Sequence, residues 1–184
     1  MVSMDTLVHR CAHNSAGAIG AFYRSVLGLD AHIDGGRCIV TFGGEASGPG
    51  LGLPEQRLVF DESGADEDAV DVAAQDRAAP ASLQDLPEHR KYHVCIYLPS
   101  AEHFERAFRN AEAAGLVYVN QRFEGGPLEF ASSRTWAEAR QCGQFRVNRL
   151  EDPHTGLLGL ILEHEVRCPS HTSNPMLRGA ESML

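Results

Sequence analysis

The chain predicts an α+β fold assembled from two copies of one strand–helix–strands module, and three observations predict it. The stretch LVHRCAHNSAGAIGAFYRSVLGLDAHID near the N-terminus is echoed by KYHVCIYLPSAEHFERAFRNAEAAGLVYVN near residue 91. Both stretches open with strand periodicity, pass through a polar turn into a helical pattern, and close on Gly-Leu. Each is then followed by further short strand-like runs bounded by turn residues. Repetition at this scale marks a duplicated supersecondary unit that buries its apolar faces only once both copies are present. The alignment pairs His9 with His93, Cys11 with Cys95, Ala21-Phe22 with Ala107-Phe108 and Gly28-Leu29 with Gly115-Leu116, with small insertions between strand and helix.

The first module is placed at 4–62. Ser15 is the expected cap of a helix whose apolar side carries Ile19, Phe22, Tyr23 and Val26 and which Gly28 ends. Strands are expected at 29–34, 37–43 and 56–61, the first two joined by a tight Gly35-Gly36 hairpin. An acidic linker poor in large apolar residues follows at 63–89.

The second module is placed at 90–168. Tyr92, Val94, Ile96 and Leu98 alternate with His93, Cys95 and Tyr97, the pattern of a half-buried strand. Ser100 is the expected cap of a helix with Phe104, Ala107, Phe108 and Ala111 on one face, ended by Gly115. Strands follow at 116–123, 144–151 and 157–166. An insertion at 123–143 holds the only tryptophan, Trp136, together with Phe130, and reads either as packed structure or as a lid hinged at Gly125, Gly126 and Gly143. The tail at 169–184 reads as irregular.

Composition narrows the function classes. A formal net charge of −9 makes nucleic acid a poor partner. No apolar run approaches the ~20 residues of a membrane span. Five cysteines without a CxxC pair read as reduced thiols, so a cytoplasmic location is expected.

The order βαβββ–βαβββ, with AFYRSVLGL after the first strand and DPHTG before the last, resembles the vicinal oxygen chelate superfamily of glyoxalases, extradiol dioxygenases and bleomycin-resistance proteins. The resemblance implies two modules forming a curved mixed sheet around a shared cavity in which a divalent metal holds a small oxygenated substrate. It also implies metal ligands on the first strand of each module and on the last strand. The matching residues here are His9, His93 and Glu163, a two-histidine, one-carboxylate set with open coordination positions. Such a set suits iron(II) first, with manganese, zinc or nickel as alternatives. The family position after the DPxG turn falls near Leu160, so Glu163 needs extra residues in the turn, and Glu165, of the same parity, is the second candidate. Glyoxalase-type members add a fourth ligand from the last strand of the first module, where Gln56, Asp61 and Glu62 are the nearest candidates.

Parity adds support from the residues themselves. Leu158, Leu160 and Leu162 share one face of the last strand, while Glu163 and Glu165 share the other. Tyr97 is the expected donor of a hydrogen bond to substrate, and His13 the expected base beside His9; both are expected catalytic residues. His164 and His171 read as surface histidines, and Cys11 and Cys95 as core filling. The leading expectation is a metal-dependent enzyme, dioxygenase-like rather than a glyoxalase-type lyase or isomerase. The alternative is a metal-free protein that binds or sequesters a small molecule. The expected partner is a small-molecule substrate, with a homodimer left open.

Overall fold

A computed structural model describes residues 5–42, 55–63, 93–120 and 132–174. In chain order these form β1 (Thr6–Arg10), α1 (Ala16–Ser25), β2 (Asp30–Asp34), β3 (Arg37–Phe42), β4 (Gln56–Asp61), β5 (His93–Tyr97), α2 (Ala101–Ala113), α3 (Trp136–Cys142), β6 (Gln144–Glu151) and β7 (Leu158–Arg167). The linker, the Gly/Pro loop after β3, residues 121–131 with Phe130, and the tail from 175 lie outside the described residues. The expected α+β class and both βαβββ modules are present, but the strands hydrogen-bond as two sheets, one of four strands and one of three. The chain divides into two compact units, Met1–Lys91 with Arg149–Ile161, and Tyr92–Asn148 with Leu162–Leu184. The tip of the β6–β7 hairpin thus belongs to the first unit.

The first unit's sheet has the order β1-β4-β3-β2, with β1 parallel to β4 and the other neighbours antiparallel. Gly35 and Gly36 join β2 to β3 with φ of 52° and 80°, the two left-handed positions that the tightest hairpin turn requires. On one side, Phe60, Leu58, Cys38 and Val40 pack beneath Ile19, Phe22 and Tyr23 of α1. Ser15 stands at the expected cap position, yet its hydroxyl bonds the Ala12 carbonyl rather than a helix amide. The open amide of Ala16 is met instead by the Glu62 carboxylate at 2.7 Å. Gly159, on the hairpin tip, lets the chain touch α1: a Cβ there would lie 2.5 Å from Ile19 Cγ1 and 3.2 Å from the Ile19 amide nitrogen.

The second unit repeats this order as β5-β7-β6, and Val117 adds a single antiparallel bridge to Val147 where a full strand was expected. α2 is capped as expected, Ser100 accepting from the His103 amide at 3.1 Å. Its Phe104 and Phe108 pack on Phe145, with ring centroids 5.4 and 5.3 Å apart. The described end of the insertion is structured. Thr135 and Glu138 form a capping box for α3, and Trp136 sits 5.9 and 5.6 Å from Phe104 and Phe108. Trp136 is therefore part of the α2 packing layer rather than a lid residue. The start of the tail is also packed, since Cys168, His171 and Asn174 are buried.

The ladders correct the repeat alignment. Each parallel pair ends with an amide just past the strand donating to its partner: Cys11 N–H to Asp61 and Leu98 N–H to Arg167, at 3.1 and 3.0 Å. Arg10 pairs with Asp61 as Tyr97 pairs with Arg167, so His9 corresponds to Ile96, and His93 corresponds to Thr6. The shared His-x-Cys pattern had pulled the alignment off by three residues. Three residues separate Cys11 from Ser15 and one separates Leu98 from Ser100, and that difference in loop length hid the true register.

Candidate functional site

Three strands and one extended segment build a polar layer on the second sheet. Ile96, Leu162, Val166 and Phe145 face α2 and are buried. Alternation turns their neighbours to the other side: His93, Cys95 and Tyr97 on β5, Glu163, Glu165 and Arg167 on β7, and Arg146 on β6. Parallel pairing sets His93 opposite Glu163, Cys95 opposite Glu165, and Tyr97 opposite Arg167.

Arg146 is the centre of this layer. Only 1% of its side chain is exposed, and its two terminal nitrogens divide between the carboxylates: Nη1 donates to Glu163 at 2.6 Å and Nη2 to Glu165. Asn120, past the Val117 bridge, donates its side-chain amide to both Glu163 oxygens at 3.2 and 3.1 Å. Its own position is fixed by the Ser132 hydroxyl, which accepts from the Asn120 backbone N–H at 3.1 Å. Arg167 continues the chain: Nη2 pairs with Glu165, and Nη1 donates to the Tyr97 hydroxyl at 2.8 Å. Two glutamates are thus matched by two guanidiniums in a buried setting where an unmatched charge would be costly.

The outer end of the layer is more accessible. The His93 side chain is 47% exposed, with Nε2 at 4.0 Å from Glu165. Cys95 lies at the exposed edge, and crowding of its sulfur out of water is the main cause pushing its thiol up to about 11, with Arg167 opposing. A thiol held there carries little thiolate near neutrality, so Cys95 is a poor nucleophile. Burial also raises the Tyr97 phenol, again against Arg167.

The remaining expected site residues lie in the first unit. His9 is on the α1 side of its sheet, stacked on Phe60 at 5.7 Å, and Phe60 in turn meets Tyr23 of α1. Desolvation there pulls the His9 imidazole below its ordinary range. On the side away from α1, β1 presents Thr6, Val8 and Arg10, so the strand offers no histidine there. His13 lies beyond β1 in the following loop, 77% exposed, with Nδ1 at 3.6 Å from Glu62. The register partner of His9 on β4 is Phe60, which leaves no carboxylate at that position for a fourth ligand. Hydrogen bonds from Ser63, and then Arg37, pull the Asp61 pKa down to about 2, and Glu62 is engaged at the start of α1.

These placements bear on the expected metal. Among the described residues, no three His, Cys, Asp or Glu side chains form a group that could hold an ion. Glu163 and His93 do share a face and a register. A cation on Glu163 would, however, share that carboxylate with the guanidinium of Arg146, and like charges at such range repel. The donor set of the second unit therefore does not fit a bound dication. Other sequence readings are revised as well: His164 and His171 are buried rather than exposed, and Cys95 lies at an exposed edge rather than in the core. Arg146 went unnoticed because one arginine in QFRVNRLE reads as a solvated strand face. Its signal was parity, since Phe145 and Val147 place it on the glutamate side.

No protein-family model and no curated protein matches the sequence. Among solved structures, a lactoylglutathione lyase from Agrobacterium tumefaciens overlaps with a TM-score of 0.43 at 17% identity, covering 97% of this chain and 98% of that one. A glyoxalase/bleomycin resistance protein/dioxygenase from Nocardioides overlaps with a TM-score of 0.37 at 16% identity, covering 94% and 88%. Among the described residues no helix is long and apolar enough to cross a membrane.

Proposed function

We propose that the second unit binds a small oxygenated organic molecule against the side of its sheet facing away from α2, and does so without a metal ion. One observation carries this reading: Arg146, buried between Glu163 and Glu165, already supplies the positive charge that a metal would bring. Arg146 and Arg167 hold the two glutamates, and with them the strand face bearing His93, Cys95 and Tyr97, in one arrangement. Side chains fixed in advance lose little entropy when a ligand arrives. What remains available outward is an imidazole, a thiol and a phenol hydroxyl, groups suited to polar contact with a small molecule.

The competing reading is a metal-dependent enzyme of dioxygenase or glyoxalase type using His9, His93 and Glu163. The His93–Glu163 register pair favours it; the guanidinium on Glu163 opposes it. A fragment screen by NMR in the presence of a chelator separates the two. Metal-free binding predicts fragments whose shifts cluster on His93, Cys95 and Tyr97 and whose affinity is unchanged by chelation. Binding that appears only after a divalent ion is added would refute the metal-free reading.

A further inference from the structure

Resting on that binding reading, we propose that Tyr97 and Arg167 form the end of the site that recognises an acceptor oxygen, so that the ligand class is a small carboxylate or a carbonyl compound. The phenol oxygen of Tyr97 already accepts a hydrogen bond from Arg167 Nη1 at 2.8 Å. With that lone pair engaged, the hydroxyl has its proton to give. Within the protein it meets the thiol of Cys95, two residues back on the same face. Sulfur is a weak acceptor, so a carbonyl or carboxylate oxygen replaces it favourably. Arg167 reinforces the preference. Its guanidinium lies 5.7 Å from the centre of the Tyr97 ring, placing positive charge behind the hydroxyl.

The polarity of the layer points the same way. Along β7 the order Glu163, Glu165, Arg167 runs from a carboxylate end to a guanidinium end, and Tyr97 stands at the guanidinium end. Among the described residues an amine or ammonium group meets there a phenol oxygen and a Glu165 carboxylate already engaged by Arg167, and the weakly accepting Cys95 sulfur. An anionic or polarised oxygen gains both a donor and a favourable field.

The test uses benzoate and benzylamine, flat molecules of matched size that differ in presenting acceptors or donors. Each is titrated by NMR into the full chain, its Tyr97→Phe variant and its Arg167→Lys variant. Benzoate should bind wild type with shifts centred on Tyr97, and benzylamine should not. Tyr97→Phe should weaken benzoate roughly tenfold, the effect of losing one hydrogen bond to a charged acceptor. Tyr97→Phe keeps the ring, so a folded variant is expected even if Arg167→Lys disturbs Glu165. Equal binding of the two probes, or benzoate binding unchanged in Tyr97→Phe, overturns the inference while leaving small-molecule binding intact. Fragments that bind this face while benzoate does not also overturn it. If no fragment of any kind binds the face, the binding reading fails and this inference with it.

Discussion

Replacing Arg146 by methionine tests the polar layer at its centre. Methionine roughly preserves the length and volume of the arginine stem, so little cavity is created, and the main effect is electrostatic. Glu163 keeps Asn120, and Glu165 keeps Arg167 with the His93 imidazole at 4.0 Å. Both carboxylates are more than nine-tenths buried, with side-chain exposures of 8% and 4%. Removing one partner from a buried ion pair costs about 3–5 kcal/mol. For a chain of this size that corresponds to a fall in Tm of about 6–20 °C. Urea unfolding followed by Trp136 fluorescence is the appropriate assay, because the single tryptophan sits between Phe104 and Phe108 and reports the second unit. The double variant Arg146→Met/Glu163→Gln should regain more than half of the loss, since the amide at 163 keeps a hydrogen bond with Asn120 while Glu165 and Arg167 stay paired, so no charge is stranded. A single variant that loses under about 1 kcal/mol, the scale of an exposed ion pair, would refute the idea of a buried, charge-matched layer. So would a double variant no more stable than the single one.

Three further outcomes follow from local geometry. His9 titrates below 6.5 in the folded state, so the unfolded chain takes up its proton first. The stability that neutral His9 contributes is complete above pH 6.5 and is lost as pH falls below it; His9→Leu should therefore flatten the fall in stability between pH 7.5 and 5.5 measured by urea titration. Gly159→Ala should destabilise the first unit by about 1–3 kcal/mol, because the new Cβ meets Ile19 at 2.5 Å and its neighbours there are backbone atoms; thermal unfolding by far-UV circular dichroism reads the change. Thr135→Ala removes one half of the α3 capping box and should cost about 1 kcal/mol, with Trp136 emission as the readout, whereas Thr135→Ser should retain most of the stability.

Most of the fold was legible in the residues because it rests on local periodicity. The expected strand at 144–151 matches β6 in full, Gly35-Gly36 makes the expected hairpin, and Ser100 caps α2 as read. The face of β7 that carries Glu163 and Glu165 followed from alternation alone. What depends on pairing between distant strands was not legible. Register is fixed by hydrogen bonds between segments far apart in sequence, so the His-x-Cys coincidence made His9 the repeat equivalent of His93, although His9 faces α1 and stacks on Phe60 while His93 lies on the sheet side away from α2. The strand expected at 116–123 shrinks to one bridge at Val117, beyond which the chain is taken up by Asn120 and its contacts. For the same reason Arg146 could not be matched to its glutamates, because nothing local tells a buried charge from a solvated one. His164 and His171 were misread in the same direction, as a histidine's burial depends on what the rest of the chain lays over it.

Metal stoichiometry after anaerobic reconstitution with iron(II), manganese, zinc and nickel, followed by desalting and elemental analysis, tests the central claim most directly. A charge-matched, metal-free layer predicts well under one ion per chain for every metal, with no further change in His93→Ala. Uptake of one ion per chain that is lost in both His93→Ala and Glu163→Ala would contradict it and restore the metal-dependent reading.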